Sequence, residues 1–161
     1  MTQVWFGSDF HFGHKGINRL REQFQNEEEN RTKIIADWKS VVGKNDSVYI
    51  LGDACFTMDT IEEFDKLPGR KNLIRGNHDL LDTQVYLKYF ENVYGLLKYK
   101  EFWLSHAPIH PDELRNKVNL HGHVHYATIP DKQYFNCCPE NLWKLYGRAL
   151  VSLDEIRKHY K

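Results

Sequence analysis

The residues best suited to chemistry are Asn77, His78 and Asp79, which follow the short apolar run from Asn72 to Ile74. Three polar side chains in succession are expensive to bury without partners, so we expect them at a surface or a site rather than in the core. Asn77 offers an amide oxygen, His78 a ring nitrogen that can carry a proton, and Asp79 a carboxylate able to hold that histidine's other nitrogen. The combination predicts a metal ligand beside an oriented proton donor, although Gly-Asn-His-Asp alone is also an ordinary turn sequence.

Four other short apolar runs end in the same way, at side chains able to bind divalent metal ions. Carboxylate oxygens, amide oxygens and imidazole nitrogens are common ligands of such ions. The side chains are Asp9 and His11, Asp53, His106, and finally His123 and His125. In an extended segment residues two apart point the same way, so we expect each spaced pair to address one point. In open α/β sheets a site forms beyond the carboxyl ends of the strands, which predicts that all five endings converge.

The number and type of these donors predict a pair of metal ions. With Asn77 included there are seven donor residues, more than one tetrahedral ion uses, and they suit two ions if a carboxylate bridges them. Asp53 is the natural bridge. The set holds no thiolate, which favours manganese, iron, zinc, cobalt or nickel over copper(I) or an iron–sulfur cluster. We therefore expect two divalent ions as cofactors, with manganese as the first choice.

The convergence of these endings requires strands that stop at one edge of a sheet. The predicted strands are Val4–Ser8, Ser47–Leu51, Arg70–Ile74, Phe102–Ser105 and Val118–His121. The connection over Gly13–Val42 is predicted to be mostly helical, and a further helix is expected over Leu80–Phe90. Because strands and helices alternate without a linker, the sequence predicts a single α/β domain over residues 1–161.

The charge and the apolar pattern exclude several classes of partner. Lys plus Arg and Asp plus Glu are both 22, giving a formal net charge of zero, which argues against stable binding of duplex nucleic acid. No apolar run reaches membrane-spanning length, and the first residues lack a secretory signal. These features predict a cytoplasmic protein without a membrane partner. The three cysteines show neither a disulfide framework nor a zinc motif.

The order of the polar motifs is itself informative. Asp-x-His, Gly-Asp, Gly-Asn-His-Asp, a later His and Gly-His-x-His follow one another between Asp9 and His125. This ordered set resembles the calcineurin-like metallophosphoesterase superfamily. The resemblance implies a four-layer α/β/β/α sandwich of two mixed β-sheets, with a binuclear metal site at the C-terminal ends of the strands.

The resemblance also implies a role for each motif residue. One ion would be held by Asp9, His11, Asp53 and His125. The other would be held by Asp53, Asn77, His106 and His123. His78 would protonate the leaving group or stabilise the phosphoryl oxygens, and Asp79 would orient it.

The loop after the Asp-x-His motif makes the resemblance more specific to one group of the superfamily. Phe12-Gly13-His14-Lys15 is similar to a loop in compact bacterial and phage members of the superfamily. The residues that could meet an anionic substrate are His14, Lys15, Asn18, Arg19 and Arg75. The Gly-Asp block continues into Ala54-Cys55-Phe56-Thr57 without the downstream phosphate-binding arginine of Ser/Thr protein phosphatases, which disfavours that activity.

These observations predict a metal-dependent phosphodiesterase that acts on a nucleotide, a cyclic nucleotide or a nucleic-acid end. A phosphomonoesterase or a nucleotide pyrophosphatase would use the same metal site and is the alternative. A non-catalytic protein-binding scaffold is a third hypothesis, disfavoured because such a descendant should have lost ligands or the acid histidine. Nuclease action on long DNA is disfavoured by the charge balance. The expected partner is therefore a phosphorylated small molecule or nucleotide.

Overall fold

The apolar runs of the sequence form the strands of two sheets. The structure is a computed structural model that describes residues 1–161. The strands are β1 (Val4–Gly7), β2 (Ser47–Ile50), β3 (Arg70–Ile74), β4 (Asn92–Tyr94), β5 (Leu97–Tyr99), β6 (Phe102–Leu104), β7 (Val118–His121), β8 (Tyr134–Asn136) and β9 (Val151–Ser152). All five strands that precede the polar endings are thus present within one residue of the predicted bounds.

Six helices surround the sheets. They are α1 (Glu27–Val41), α2 (Met58–Ile61), α3 (Thr83–Tyr86), α4 (Pro111–Leu114), α5 (Pro139–Tyr146) and α6 (Leu153–His159). Helix α1 begins after Asn26, whose side chain accepts a hydrogen bond from the Glu29 N–H at 3.0 Å. None of the helices has the length and apolar character needed to cross a membrane.

The two sheets are both mixed. The first has the order β4-β3-β2-β1-β9, with β1 to β4 parallel and β9 antiparallel to β1. The second has the order β5-β6-β7-β8, with β6 to β8 parallel and β5 antiparallel to β6. This mixed α/β architecture with two mixed sheets is the fold class that the sequence resemblance implied.

Two apolar cores fix the first sheet in the middle of the molecule. On one face, Trp5 of β1 packs with Ile34 and Trp38 of α1. On the other face, Phe6 of β1 packs with Leu104 of the second sheet. Because successive side chains of a strand point to opposite faces, a strand that is covered on both sides needs an unbroken apolar run. The polar residues that follow each run are therefore left at the ends of the strands.

The predicted helix over Leu80–Phe90 is wrong in extent, because α3 covers only Thr83–Tyr86. The Arg75 side chain donates hydrogen bonds to the carbonyls of Asp79 and Leu81, at 2.8 and 2.7 Å. These hydrogen bonds hold the segment before α3 in its irregular conformation. The start of the helix is set instead by Asp82, whose carboxylate caps the Gln84 N–H.

Candidate metal centre

The loops that follow β1, β2, β3, β6 and β7 meet at one edge of the two sheets. The N–H of Asp9 donates to the Gly52 carbonyl at 2.9 Å, which joins the endings of β1 and β2. Between the sheets, the His123 N–H donates to Oδ2 of Asp9 at 2.9 Å. The convergence predicted for these strand endings is therefore present.

The first ligand group that the resemblance implies consists of Asp9, His11, Asp53 and His125. Nε2 of His11 lies 3.5 Å from Oδ1 of Asp9 and 3.5 Å from Oδ2 of Asp53. Nε2 of His125 lies 3.6 Å from the same Asp9 oxygen. Both Asp9 Oδ1 and His11 Nε2 are buried without a hydrogen-bond partner, which is unusual for polar atoms inside a protein. These atoms therefore face one another at distances too long for hydrogen bonds.

The second ligand group that the resemblance implies consists of Asp53, Asn77, His106 and His123. Oδ1 of Asn77 lies 2.8 Å from Nε2 of His106 and 3.1 Å from Nδ1 of His123. Nε2 of His106 lies 3.5 Å from Oδ2 of Asp53, the same oxygen that faces His11 in the first group. One carboxylate oxygen of Asp53 is thus shared by both groups.

The backbone at the site departs from the extended form that the sequence argument assumed. Asp9, His11, Asp53, His123 and His125 all have left-handed backbone, with φ between 49° and 72°. Asp9 and His11 do face one another, but His123 and His125 belong to different ligand groups. The expectation of extended backbone at these pairs is therefore wrong, although Asp9 and His11 do converge as their spacing predicted. Left-handed backbone at residues other than glycine carries strain that tends to collect at functional sites.

Two glycines permit the close approach of neighbouring loops. A Cβ on Gly76 would lie 2.3 Å from Oδ1 of Asp53. A Cβ on Gly122 would lie 2.2 Å from Oδ2 of Asp9. Any side chain at these positions would push an aspartate out of its ligand group.

Asp79 has a different contact set from the one expected. Its carboxylate accepts hydrogen bonds from the N–H groups of Asp53, Ala54 and Gly76, at 2.8 to 2.9 Å, and makes no hydrogen bond with the His78 ring. Burial raises the pKa of this carboxyl above its usual value, and the backbone donors offset part of the rise. The expectation that Asp79 orients His78 is thus corrected, since Asp79 joins the loop after β2 to the loop after β3.

The ring of His78 is exposed and lies against Phe56. Their ring centroids are 5.0 Å apart with planes inclined by 22°. The ring of His14 stacks on Phe56 at 4.7 Å and 8°. The centroids of His78 and His11 are 5.9 Å apart, so the proposed proton donor lies beside the first ligand group. Sequence reasoning did not single out Phe56 for this role.

Comparisons with known proteins identify the family. The sequence profile of the calcineurin-like phosphoesterases matches residues 2–159. The chain belongs to the calcineurin-like phosphoesterase family. It is 31% identical to the Gene 66 protein of Mycobacterium phage L5, over 97% of this chain and 93% of that protein. It is also 28% identical to an uncharacterized protein of Methanocaldococcus jannaschii, over 84% of this chain and 77% of that protein.

The fold comparison agrees with this family. A crystal structure of a protein of unknown function from Aquifex aeolicus superposes with a TM-score of 0.77 at 27% identity. The match covers 99% of this chain and 100% of the other. Calcineurin-like phosphoesterases are metal-dependent phosphoester hydrolases, and the protein is therefore an enzyme of this type.

Two clusters at the site, Asp9 with His11 and His125, and Asp9 with Asp53 and His106, could each hold one of the divalent ions that calcineurin-like phosphoesterases use. Two donors that each lie about 2.1 Å from a tetrahedral ion are about 3.4 Å apart. The separations of 3.5 to 3.6 Å that involve His11, His106 and His125 agree with that value. The separations among Asn77, His106 and His123 are shorter, at 2.8 to 3.1 Å. Burial opposes ionisation of Asp9, but the adjacent His11 ring, the nearby His106 ring and the hydrogen bond from the Ser8 hydroxyl outweigh it and hold the Asp9 pKa well below its usual range. A carboxylate that stays ionised while buried suits a cation.

The other ring nitrogens of three candidate ligands have acceptors. Nδ1 of His106 lies 2.8 Å from the Leu51 carbonyl, and Nδ1 of His125 lies 3.0 Å from Oε1 of Glu140. Nδ1 of His11 lies 3.0 Å from Nδ1 of His14. With the proton on Nδ1 of each ligand, Nε2 keeps a lone pair directed at its ligand group, as metal-binding histidines require.

Two residues that sequence reasoning missed lie directly behind the first ligand group. Arg21 and Glu140 form a buried ion pair, with Nε and Oε1 2.7 Å apart. They are separated by 119 positions in the chain, and neither stands in a recognisable motif. No signal in a single sequence could have brought them together.

The candidate substrate contacts divide into two sets. Lys15 and Arg19 are exposed in the loop that contains His14. Asn18 donates to the Gln25 carbonyl at 3.1 Å within that loop. Arg75 directs its guanidinium to the loop after β3, including a 2.8 Å hydrogen bond to the Thr83 hydroxyl. Substrate contact by these five residues remains a prediction.

Proposed function

We propose that the protein hydrolyses a phosphodiester of a nucleotide, a cyclic nucleotide or a nucleic-acid end. The observation that carries this proposal is the convergence of seven donor residues into two groups that share Asp53. Divalent ions in these groups, with manganese as the first choice, would neutralise phosphoryl oxygens and make hydroxide available from water near neutral pH. The chain itself must then position the ions, the phosphate and a proton donor.

Asp53 sets the spacing of the site, because one of its oxygens faces both His11 and His106 at 3.5 Å. Its other oxygen accepts a hydrogen bond from the His78 N–H at 2.9 Å. The same carboxylate therefore positions the bridge between the groups and the backbone of the proposed acid. His78 then protonates the departing oxygen, a step that contributes about 10²- to 10⁴-fold in rate when the leaving group is poor.

The surfaces beside the site favour a diester over a monoester. A phosphodiester carries two organic groups, and each needs a surface to lie against. Phe56, with His14 and His78 on its faces, forms a flat aromatic wall beside the first ligand group. A cavity of about 430 Å³ lies beside the second ligand group and is lined in part by Leu96, Pro108 and Ile109. An aromatic base or a sugar would find an apolar contact on either side.

A metal and substrate panel tests the proposal. The purified protein is stripped with a chelator, reloaded separately with manganese, iron, zinc, nickel or cobalt, and assayed on a nitrophenyl diester, a nitrophenyl monoester, a cyclic nucleotide and a dinucleotide. We expect turnover to depend on metal and kcat/KM for the diester to exceed that for the monoester by about tenfold or more. Faster hydrolysis of the monoester or of a pyrophosphate bond would refute the diester preference. No turnover with any metal would favour the scaffold hypothesis.

A further inference from the structure

We propose that Arg21 and Glu140 are a positioning pair that holds Asp9 and His125 in place for the ion of the first ligand group. The inference rests on the proposed function, because it assigns these two residues a task only if that group binds metal. Neither residue would touch the ion or the substrate. Each would act through a ligand.

Glu140 links the pair to His125. Its side chain is 0% exposed, and its Oε1 lies 2.7 Å from Nε of Arg21 and 3.0 Å from Nδ1 of His125. A carboxylate at Nδ1 fixes the proton there and leaves the lone pair on Nε2, the nitrogen that faces Oδ1 of Asp9. Glu140 therefore fixes both the tautomer and the orientation of this ligand.

Arg21 links the pair to Asp9. Its side chain is also 0% exposed, and Nη2 donates to the Asp9 carbonyl at 2.6 Å. Nη1 donates to Oδ1 of Asn30 at 2.8 Å, and the Asn30 amide donates to the Phe10 carbonyl at 3.0 Å. The guanidinium therefore fixes the backbone of the Asp9–Phe10 segment, where Asp9 has a φ of 49°. A residue in this strained conformation needs such support to keep its place.

A contribution to fold stability alone does not explain this pair. A buried ion pair is often no more stabilising than apolar side chains of similar volume, because both charges must leave water. The second oxygen of Glu140 is buried without any hydrogen-bond partner, so the pair is not arranged to satisfy its own polar atoms. Its contacts lead instead to two ligands that come from distant parts of the chain. Ligand-orienting residues of this kind typically change metal affinity by about 10- to 100-fold when they are altered.

The test measures manganese binding rather than turnover. Wild type, Glu140→Gln and Arg21→Lys are stripped of metal, checked for fold by circular dichroism and thermal unfolding, and titrated with Mn²⁺ by calorimetry and electron paramagnetic resonance. Glu140→Gln keeps the shape and removes the charge. Arg21→Lys keeps the charge and loses the fork that reaches Glu140, Asn30 and Asp9 together. The control is Glu155→Gln, which alters the Arg148–Glu155 ion pair outside both ligand groups.

We expect wild type and the control to bind two ions with a spin-coupled signal. In both test variants the affinity for one Mn²⁺ ion should fall by about 10- to 100-fold, while the affinity for the other changes by less than about threefold. At the same free Mn²⁺ concentration, the spectrum of a single isolated ion should then replace the spin-coupled signal. Equal weakening of both steps, or two unchanged steps, overturns the inference. If Glu140→Gln does not fold, Glu140→Asp takes its place and is titrated beside Arg21→Lys. A wild type that binds no manganese refutes the proposed function instead.

Discussion

Replacing Phe56 by leucine should slow the reaction, because Phe56 holds the proposed acid, His78, in place. The two rings stack with their planes inclined by 22°. The carboxylate of Asp79, which was expected to orient the imidazole, is held by three backbone N–H groups. The position of the ring therefore depends on the 5.0 Å stacking contact with Phe56 and on the His78 backbone.

The size of the effect follows from that contact. An aromatic pair at this distance contributes about 0.5–1.5 kcal/mol beyond the area that it buries. If the whole of this energy serves to hold His78 in its productive position, its loss slows proton transfer by about 2- to 13-fold. Leucine keeps an apolar side chain at the position, so the wall beside the site stays apolar.

The assay compares two leaving groups under metal-saturating conditions. A nitrophenyl diester releases a stable anion and needs little help from an acid, whereas an alkyl or ribose diester needs a proton. Phe56→Leu should therefore lower kcat for the alkyl diester by about 2- to 13-fold. For the nitrophenyl diester, kcat should stay within about twofold of the wild-type value. The metal content of the variant should equal that of wild type. That result would show that the contact of Phe56 with His11 is not needed to bind the ions.

A double-mutant cycle supplies the decisive outcome. If Phe56 acts through His78, Phe56→Leu has no further effect in a His78→Ala background. An equal loss in both backgrounds, or an equal loss on both leaving groups, would refute this reasoning. Phe56 would then act only through its contact with the substrate or with His14, and not through His78.

Three further predictions use single variants. Asp53→Asn should abolish metal-dependent activity and lower the content of both ions, and full turnover in that variant would contradict its bridging role. His78→Ala should lower kcat about 10²- to 10⁴-fold on an alkyl diester and much less on a nitrophenyl diester, with His159→Gln as the control. An equal loss on both substrates would mean that the ring acts on the phosphoryl oxygens instead. Arg75→Met should destabilise the fold by about 1–3 kcal/mol in denaturant unfolding, because the carbonyls that it holds lose their donor. A higher KM at unchanged stability would show that Arg75 binds substrate instead.

The strand endings could be predicted from sequence because burial leaves a plain pattern. Trp5 and Phe6 are neighbours that serve different cores, so β1 must be apolar throughout until it leaves the sheet. The first polar residues after such a run lie at the strand end by necessity. Parallel strands then bring Asp9 and Asp53 to one edge.

The local conformation at the ligands could not be predicted in the same way. Left-handed backbone at His11 or His123 has only a weak residue signature, since histidine is enriched in this conformation but adopts it far less readily than glycine. The conformation is imposed by contacts from elsewhere, such as the hydrogen bond from the His11 N–H to the Asp53 carbonyl at 3.0 Å. For the same reason the short extent of α3 was missed, because Arg75 reaches it from outside the segment.

The site also joins the two sheets, which pack against each other through the second apolar core. The first ligand group combines Asp9 and Asp53 from the first sheet with His125, which follows a strand of the second. The second group combines Asn77 from the first sheet with His106 from the second. Protein contacts between the sheets at this edge include hydrogen bonds from His123 to Asp9 and from His106 to the Leu51 carbonyl. Ions in both groups would therefore cross-link the two sheets where the strained loops meet, and catalysis and local rigidity would depend on the same ligands.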